Sequence, residues 1–459
     1  MTLIKSISGI RGTIGGNINE NLTPIDAVKF AAAYGSWLQQ KHPNTSLSVV
    51  LGRDARISGE MIQNLVQYTL IGLGINIIDV GLSTTPTVEL MVPQYKAHGG
   101  IILTASHNPK QWNALKLLNE DGEFLNAKEG QAILNIAESS SFSFADVDAL
   151  GKVALVKNAI DQHIDHVLTL SLVNVDLIRN AKLKVVVDGV NSTGGIAIPK
   201  LLDALGVETI KLFCEPNGQF PHNPEPLKEH LTDLSQTVVK EKADLGIVVD
   251  PDVDRLAFMC ENGEMFGEEY TLVACSDYVL SKTPGNTVSN MSSTRALNDV
   301  TKNHGGNYQA SAVGEVNVVE MMKKTQAIIG GEGNGGIIYP ESHYGRDALV
   351  GVALFLSLLA EQKGLVSELR ASYPNYFMSK QKIELTPDIQ ADQALEAIAK
   401  TYKSENISTI DGVKIDFENQ WVHLRKSNTE PIIRVYTEAK SQSEATELAN
   451  RFRNEILSL

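Results

Sequence analysis

A strand, a helix, a glycine and a second strand follow one another three times in the first three-quarters of the chain. The copies span residues 48–80, 184–213 and, more faintly, 286–306. The first two begin with an apolar, mostly β-branched run and continue with a helical pattern that stops at a glycine, and the fainter third copy stops at the glycines 305–306. This order is typical of a βαβ unit, whose strands pair in parallel. The pattern therefore predicts three related α/β domains.

From residue 371 onward the pattern changes. Short strands and helices alternate in another order, which indicates a separate α+β domain. Predicted strands cover 382–385, 412–417, 421–425 and 429–438, and predicted helices cover 391–400 and 443–457.

Size and composition narrow the class of protein. A chain of 459 residues is too long for one hydrophobic core. Its net charge of −14 argues against nucleic acid as a partner. Three cysteines without a CxxC pair fit a reducing compartment. We find no signal-peptide pattern, and the longest apolar run, 348–360, is too short to span a bilayer and predicts a buried helix. We expect a soluble cytoplasmic monomer or homodimer without a membrane partner.

Residues 104–109 (TASHNP) directly follow the apolar run 100–103. A serine at the end of a buried strand projects its hydroxyl beyond the carboxyl end of the sheet, where open α/β folds bind ligands. Serine, asparagine and proline are also ordinary turn residues, and the motif is not the GxSxG elbow of esterases. Ser106 is a candidate nucleophile, with a plain turn as the alternative.

Three aspartates alternate in residues 250–255 (DPDVDR), after the apolar run 245–249. Carboxylates so close together repel one another unless a cation holds them. A calcium EF-hand is excluded, because its sixth position needs glycine and holds Arg255 here, and because the loop follows a strand. The pattern predicts a metal site, and Arg255 indicates a second anion, such as phosphate, beside the metal.

Five of the seven residues in 330–336 (GGEGNGG) are glycines. Glycine lets a backbone approach a ligand closely, and the remaining carboxylate and amide can bond sugar hydroxyls. The segment matches neither the P-loop nor GxGxxG in full. A sugar-binding loop and an unliganded hairpin remain as alternatives.

Basic residues cluster in residues 425–431 (RKSNTEP), with Arg434 beyond them. Guanidinium forks, hydroxyls and backbone N–H groups together bind a phosphate dianion. A charged surface hairpin is the alternative. In an acidic protein this cluster favours a phosphate-binding turn.

In this order the four motifs resemble those of the α-D-phosphohexomutase superfamily, over essentially the whole chain. TASHNP is similar to the phosphoserine loop, DPDVDR to the metal loop, GEGNGG to the sugar loop and RKSNTEP to the phosphate loop. Further matches lie at residues 9–12 (GIRG) and 52–54 (GRD), and at Asn113 and Lys116. The resemblance implies three related mixed-sheet α/β domains and a C-terminal α+β domain around a central cleft. We set their limits at 1–150, 151–257, 258–370 and 371–459.

The resemblance also implies an activity. Such an enzyme interconverts hexose 6-phosphate and hexose 1-phosphate through a phosphoserine, here Ser106, and a hexose 1,6-bisphosphate that also acts as activator. Mg²⁺ would be held by Asp250, Asp252, Asp254 and an oxygen of the phosphorylated Ser106. Arg11 and Arg255 would steady the moving phosphate, and His107 or Lys116 would transfer the proton. The sugar and its own phosphate would be bound by Glu332, Gly333, Asn334, Arg425, Ser427, Asn428, Thr429 and Arg434.

The sequence departs from the family pattern in the sugar loop. Many members have serine and histidine where this chain has Asn334 and Gly336, and glycine where it has Ala114. The proton-transfer role usually given to that histidine therefore does not carry over. The Asn-Gly-Gly version of the loop is most similar to that of members acting on glucosamine phosphate. Glucosamine 6-phosphate is the predicted substrate, with glucose and mannose phosphates as alternatives.

Two other functions would use part of the same machinery. A sugar phosphatase with a phosphoserine intermediate would need Ser106 and the metal loop, but not a turning bisphosphate. A non-catalytic sugar-phosphate sensor would keep the phosphate-binding turn without the nucleophile. The intact serine and three aspartates argue against the sensor.

Overall fold

The computed structural model describes residues 2–6, 9–385, 390–427 and 432–458. Its strands form four sheets, one of seven strands, two of four and one of five. The first three are mixed sheets flanked by helices, and the fourth is antiparallel. The predicted fold class, three related α/β domains and a C-terminal α+β domain, is confirmed.

The first sheet has the strand order β1-β2-β6-β5-β3-β4-β7. Its strands are β1 Ile4–Ser6, β2 Gly9–Thr13, β3 Ser48–Arg53, β4 Asn76–Leu82, β5 Gly100–Leu103, β6 Trp112–Leu118 and β7 Val153–Leu155. Its helices are α1 Pro24–Lys41, α2 Gly59–Gly72, α3 Thr85–Gln94 and α4 Ala127–Ser139, followed by a short 3₁₀ turn at Val147–Ala149. β3 pairs in parallel with β4 and β5, and β6 pairs antiparallel with β5 and β2.

The second sheet has the order β11-β10-β8-β9. Its strands are β8 Lys184–Asp188, β9 Glu208–Leu212, β10 Leu245–Val249 and β11 Leu256–Cys260. The helices are α5 Ala159–Thr169, α6 Val175–Ala181, α7 Gly194–Ala204 and α8 Thr232–Glu241, with a 3₁₀ turn at Lys228–His230. Only β11 is antiparallel to its neighbour.

The third sheet has the order β13-β12-β14-β15. Its strands are β12 Asn286–Asn290, β13 Tyr308–Ser311, β14 Ala327–Glu332 and β15 Gly336–Ile338. Its helices are α9 Glu268–Lys282, α10 Ala296–Asn303, α11 Glu315–Thr325, α12 Ala348–Gln362 and α13 Val366–Ser372. Again only the last strand, β15, is antiparallel to its neighbour.

The fourth sheet has the order β16-β20-β19-β18-β17 and is antiparallel throughout. Its strands are β16 Phe377–Glu384, β17 Asn406–Ser408, β18 Val413–Asp416, β19 Trp421–Lys426 and β20 Ile432–Ala439. The helices α14 Ala391–Thr401 and α15 Gln442–Leu457 contribute apolar side chains to its separate core.

The first three sheets share one topology. The orders β6-β5-β3-β4, β11-β10-β8-β9 and β15-β14-β12-β13 are equivalent, and in each a parallel strand runs into a loop from which an antiparallel strand returns. The first two loops contain TASHNP and DPDVDR, and GEGNGG covers the third loop and the adjoining ends of β14 and β15. Three of the four motifs therefore occupy the same place in three related domains.

The second and third domains share a hydrophobic core. It extends from Ile160 to Tyr373 in the sequence, and Phe355 of α12 stacks on Phe258 of β11 with ring centroids 3.8 Å apart. Every residue of α12 from Ala348 to Ala360 is buried, which confirms the predicted buried helix. No single helix in the described parts of the chain is long and apolar enough to cross a membrane, although α12 and α13, bent by 93°, pass that test as a pair.

Two strands extend beyond the predicted ends of the domains to whose sheets they belong. β7 belongs to the first sheet but begins at Val153, and β11 belongs to the second sheet but extends to Cys260. We therefore propose that the first two domains end after these strands, a few residues beyond 150 and 257.

Candidate active site

Ser106 follows β5 and reaches the metal loop. Its backbone has φ of 48°, in the left-handed region that is uncommon for residues other than glycine. The Ser106 N–H donates a hydrogen bond to the Thr104 hydroxyl (3.0 Å), which supports this turn. The Ser106 hydroxyl donates to Oδ2 of Asp250 over 2.6 Å. The candidate nucleophile and the first aspartate of the predicted metal site are therefore in direct contact.

Arg56, which the sequence analysis missed, binds the backbone of the serine loop. The Arg56 guanidinium is 1% exposed and pairs through Nε with Oδ2 of Asp54 (2.9 Å). Asp54 also accepts from the Thr104 hydroxyl (2.7 Å). The remaining donors of Arg56 reach the backbone carbonyls of Ser106, Asn108, Pro109 and Trp112. Charged donors thus fix the carbonyls of the loop that carries the nucleophile.

The three aspartates converge as predicted. Asp250 Oδ1 accepts from the N–H groups of Asp254 (3.2 Å) and Arg255 (3.1 Å), which curls the loop around it. All three carboxylates are fully buried, with one oxygen of each within 4.8 Å of the others. Oδ1 of Asp252 and of Asp254 is buried without a described hydrogen-bond partner. Burial, with the charges of Asp254 and Asp252, raises the pKa of Asp250 well above its usual value. Three buried carboxylates with converging oxygens suit the binding of a hard divalent cation.

Lys116 supplies positive charge to the same cluster. Its ammonium lies 2.7 Å from Oδ2 of Asp252 and 3.2 Å from Oδ2 of Asp254. Burial opposes the charge of this ammonium, but the two carboxylates raise its pKa above the usual value. Lys116 is therefore protonated and engaged with the metal loop.

His107, the other predicted proton-transfer residue, differs from Lys116 in its protonation state. Its Nδ1 lies 3.5 Å from the Ser106 hydroxyl oxygen. Burial, with the positive charges of Arg255 and Arg11, lowers the pKa of His107 well below its usual value. The imidazole is therefore neutral at neutral pH and able to accept a proton.

The two predicted phosphate-steadying arginines lie beside this serine loop. Arg11, on β2, donates to the side-chain oxygen of Asn108 (2.8 Å). Arg255 ends the metal loop and pairs with Glu225 (3.0 Å), while its Nε is buried without a described partner. Arg11 thus contacts the loop that carries Ser106, and Arg255 donates its N–H to Asp250, the carboxylate that the Ser106 hydroxyl binds.

Glu332 stands at the end of β14 with its carboxylate oriented by four donors. Oε1 accepts from the Asn290 amide (2.8 Å) and from the Gly314 N–H (3.2 Å). Oε2 accepts from Arg346 (3.1 Å) and from the Asn334 amide (3.4 Å). The side chain is 6% exposed. The predicted sugar ligand is thus fixed by donors that the sequence analysis, apart from Asn334, did not identify.

Close packing explains two glycines of the sugar loop. A Cβ on Gly333 would lie 1.9 Å from Oε2 of Glu269. Gly335 has φ of +87°, and a Cβ there would lie 2.1 Å from the carbonyl oxygen of Leu256, at the start of β11. A larger residue at 333 would collide with Glu269 of α9, and one at 335 would push the loop away from the start of β11, where the metal loop ends.

Arg346 connects the two loops. It is buried, and its guanidinium binds Asp254 of the metal loop (2.7 Å) and Glu332 of the sugar loop (3.1 Å). A third bond joins it to Glu315, the first residue of α11 (2.8 Å). One side chain therefore links the second and third domains at the site.

The predicted phosphate-binding turn lies on the fourth domain. Arg425 on β19 and Arg434 on β20 are direct cross-strand partners, and the Ser427 N–H donates to the Ile432 carbonyl (3.0 Å). Asn428 and Thr429, also predicted here, lie outside the described residues. Asp411 lies 3.6 Å from Nε of Arg425 and accepts from the Val313 N–H (3.0 Å), next to the Gly314 that donates to Glu332.

Sequence models for all four domains of one enzyme family match the chain. They are those of phosphoglucomutase/phosphomannomutase, with domain I at residues 3–144, domain II at 161–263, domain III at 267–376 and the C-terminal domain at 380–455. The chain belongs to this family. As a phosphohexomutase it is an enzyme, and the resemblance drawn from the four motifs is confirmed.

Individual relatives cover nearly the whole phosphohexomutase chain. A phosphoglucomutase/phosphomannomutase of Thermococcus kodakarensis is 34% identical over 95% of this chain and 96% of its own. A probable phosphoglucosamine mutase of Methanopyrus kandleri is 32% identical over 97% and 96%. A solved phosphoglucomutase/phosphomannomutase family protein of Burkholderia thailandensis superposes with a TM-score of 0.85, at 25% identity over 99% of this chain and 97% of its own.

Proposed function

We propose that this phosphohexomutase interconverts hexose 6-phosphate and hexose 1-phosphate through a phosphoserine at Ser106. The observation that carries the proposal is the 2.6 Å contact between the Ser106 hydroxyl and Asp250 of a buried aspartate triad. A hydroxyl in that position, once phosphorylated, presents phosphoryl oxygens to the cation that the triad fits.

Mg²⁺ is the cation that we propose, held by Asp250, Asp252, Asp254 and an oxygen of phosphorylated Ser106. The buried, unpartnered Oδ1 atoms of Asp252 and Asp254 support this donor set. When bound, the metal neutralises charge on the phosphoryl group during transfer. Lys116 holds two of the same carboxylates and limits their repulsion.

The chain's own residues account for the remaining steps. The P–O bond to Ser106 breaks as a P–O bond to a sugar hydroxyl forms. The neutral His107 is placed to accept the proton released there and to return it to the Ser106 oxygen. Arg11 and Arg255 bring positive charge to the same loop. Reversal of the step from the other phosphate completes the isomerisation.

The substrate is gripped at two places in this proposal. Glu332, with Gly333 and Asn334, binds ring hydroxyls, and its four protein donors hold the carboxylate in place for them. The fourth domain binds the phosphate already on the sugar through Arg425, Ser427, Asn428, Thr429 and Arg434. Because the hexose 1,6-bisphosphate must turn around between transfers, a clamp on its own domain can release and bind again.

The first test separates a mutase from a sugar phosphatase that uses the same serine. Intact mass of the purified enzyme should rise by one phosphoryl group after incubation with a hexose 1,6-bisphosphate. Hexose 1-phosphate incubated with Mg²⁺ and a trace of bisphosphate should give hexose 6-phosphate. Free phosphate as the main product would favour the phosphatase, and an unchanged mass would contradict the phosphoserine.

We propose glucosamine 6-phosphate as the preferred substrate. Glu332 would bond hydroxyls 3 and 4, which have the same configuration in glucose, mannose and glucosamine, so the three sugars differ only at carbon 2. The Asn-Gly-Gly form of the loop and relatives described as probable phosphoglucosamine mutases support glucosamine. A phosphoglucomutase/phosphomannomutase is the alternative, supported by the Thermococcus relative.

This preference predicts the highest kcat/KM for glucosamine 6-phosphate among the three sugar phosphates in one assay. A site without a dedicated partner for carbon 2 should separate them by only about tenfold. A tenfold advantage for glucose or mannose phosphate would contradict the glucosamine assignment and leave the mutase activity standing.

A further inference from the structure

Arg346 occupies the space that a side chain at position 336 would fill. A Cβ built on Gly336 would lie 2.3 Å from Cδ and 3.0 Å from Cγ of Arg346. Gly336 itself does not have a left-handed backbone. A Cβ there would also approach the Asn334 side-chain oxygen at 3.2 Å, but the collision with Arg346 is the closest contact and the main obstacle to a larger residue. The glycine at 336 and the arginine at 346 are therefore coupled by packing.

Each nitrogen of the Arg346 guanidinium makes a hydrogen bond to a carboxylate. Nε and the two terminal nitrogens each bind a different carboxylate, those of Glu315, Glu332 and Asp254, at 2.8, 3.1 and 2.7 Å. The Arg346 backbone N–H also donates to Glu315 (3.0 Å). A planar fork with donors in fixed directions can hold three carboxylates in one geometry, which a lysine cannot do.

These partners come from both halves of the proposed reaction site. Asp254 belongs to the aspartate triad, and Glu332 is the proposed sugar ligand. Glu315 fixes the arginine from α11 and follows Gly314, whose N–H binds the other oxygen of Glu332. Each loop is thereby positioned relative to the other through one buried side chain.

We propose that Arg346 is a positioning residue that couples sugar binding by Glu332 to metal binding by Asp254, and that Gly336 is required to make room for it. The inference rests on the proposed roles of these two carboxylates. It assigns to Arg346 a task that neither the four motifs nor the family resemblance contains.

The test uses the methyl group of Gly336→Ala to displace Arg346 without removing any charge. We expect KM for the sugar phosphate to rise about tenfold and Mg²⁺ affinity, measured by calorimetry, to fall with it. Arg346→Ala should weaken the binding of both sugar phosphate and Mg²⁺. Arg346→Lys should bind both more tightly than Arg346→Ala but less tightly than wild type. In the Arg346→Ala background, adding Gly336→Ala should change little, because the collision is gone.

Two control variants separate positioning from loss of stability. Gly364→Ala adds a methyl at an exposed glycine with nothing closer than 3.5 Å, and should leave both affinities unchanged. Arg370→Met removes a half-buried arginine of the same domain that binds the Phe266 carbonyl, and should lower only thermal stability.

If the losses of affinity caused by Gly336→Ala and Arg346→Ala add up in the double variant, the inference is overturned. A Gly336→Ala enzyme whose KM and Mg²⁺ affinity stay within about twofold of wild type would overturn it as well. Wild-type protein that binds neither Mg²⁺ nor sugar phosphate would instead contradict the proposed function, so the two failures are distinguishable. If Arg346→Ala does not fold, the comparison of Gly336→Ala with Gly364→Ala still decides the question.

Discussion

Replacing Ser106 with alanine is expected to remove mutase activity, by about a thousandfold or more, while the protein stays folded. The hydroxyl is the only group that the proposal allows to carry the phosphoryl between sugar positions. Its loss deletes one hydrogen bond to Asp250 and little packing, so the unfolding free energy should change by about 1 kcal/mol. The variant should also show no gain in mass with hexose 1,6-bisphosphate.

Ser357→Ala is a matched control for this substitution. Ser357 is a buried serine of α12, in the shared core of the second and third domains. Its hydroxyl donates to the Ala353 carbonyl (2.8 Å) and accepts from the Asn174 N–H (3.1 Å). Its replacement should lower the unfolding free energy by at least as much as Ser106→Ala, because two hydrogen bonds are lost, and should leave turnover unchanged. A Ser106→Ala enzyme that turns over within about tenfold of wild type would exclude the phosphoserine mechanism.

Replacing Arg56 with methionine is expected to lower the unfolding free energy by roughly 3–5 kcal/mol, because it leaves the buried Asp54 charge without its partner. Three backbone carbonyls of the serine loop, and that of Trp112 at the start of β6, would lose their donor as well. Activity should fall in the molecules that remain folded, since the loop no longer presents Ser106 in a fixed direction. Urea denaturation and turnover measure the two effects.

Arg53→Met provides the comparison within the same segment. Arg53 is half-buried and donates to the Gln63 side chain (2.8 Å) and to the Asp54 backbone carbonyl (3.2 Å), so we expect the unfolding free energy to fall by about 1–2 kcal/mol. The double variant Asp54→Asn/Arg56→Met should recover part of the stability lost in Arg56→Met, because the uncompensated charge is removed. An Arg56→Met protein as stable as Arg53→Met would show that the buried pair does not support the loop.

Much of the fold follows from local pattern. The three βαβ units were predictable because each has a β-branched run, a helical period and a glycine stop, and β3/β4, β8/β9 and β12/β13 do pair in parallel. β7 and β17 were missed, since three-residue edge strands are too short to show a period. The equivalence of the three loops was missed too, because strand order is set by pairing between distant segments.

Some residues of the candidate site were also predictable from local pattern, and others were not. Ser106 and the three aspartates were identified because each motif is contiguous and follows an apolar strand. Arg56 and Arg346 were missed, because each acts on residues far away, 50 positions for Ser106 and 92 for Asp254. A single arginine gives no local sign of its partners. The roles of all the predicted site residues stay predictions, and Asn428 and Thr429 lie outside the described residues.

The shared core of the second and third domains predicts that they unfold as one cooperative unit. Phe258, Phe266 and Phe355 belong to one aromatic cluster whose members come from both, so neither domain can unfold without exposing apolar surface of the other. The fourth domain has a core of its own and meets the third through polar contacts such as His423 with Ser292. Cooperative unfolding would therefore not follow the four sequence repeats: the two middle domains would open together, and the phosphate-binding domain could open alone.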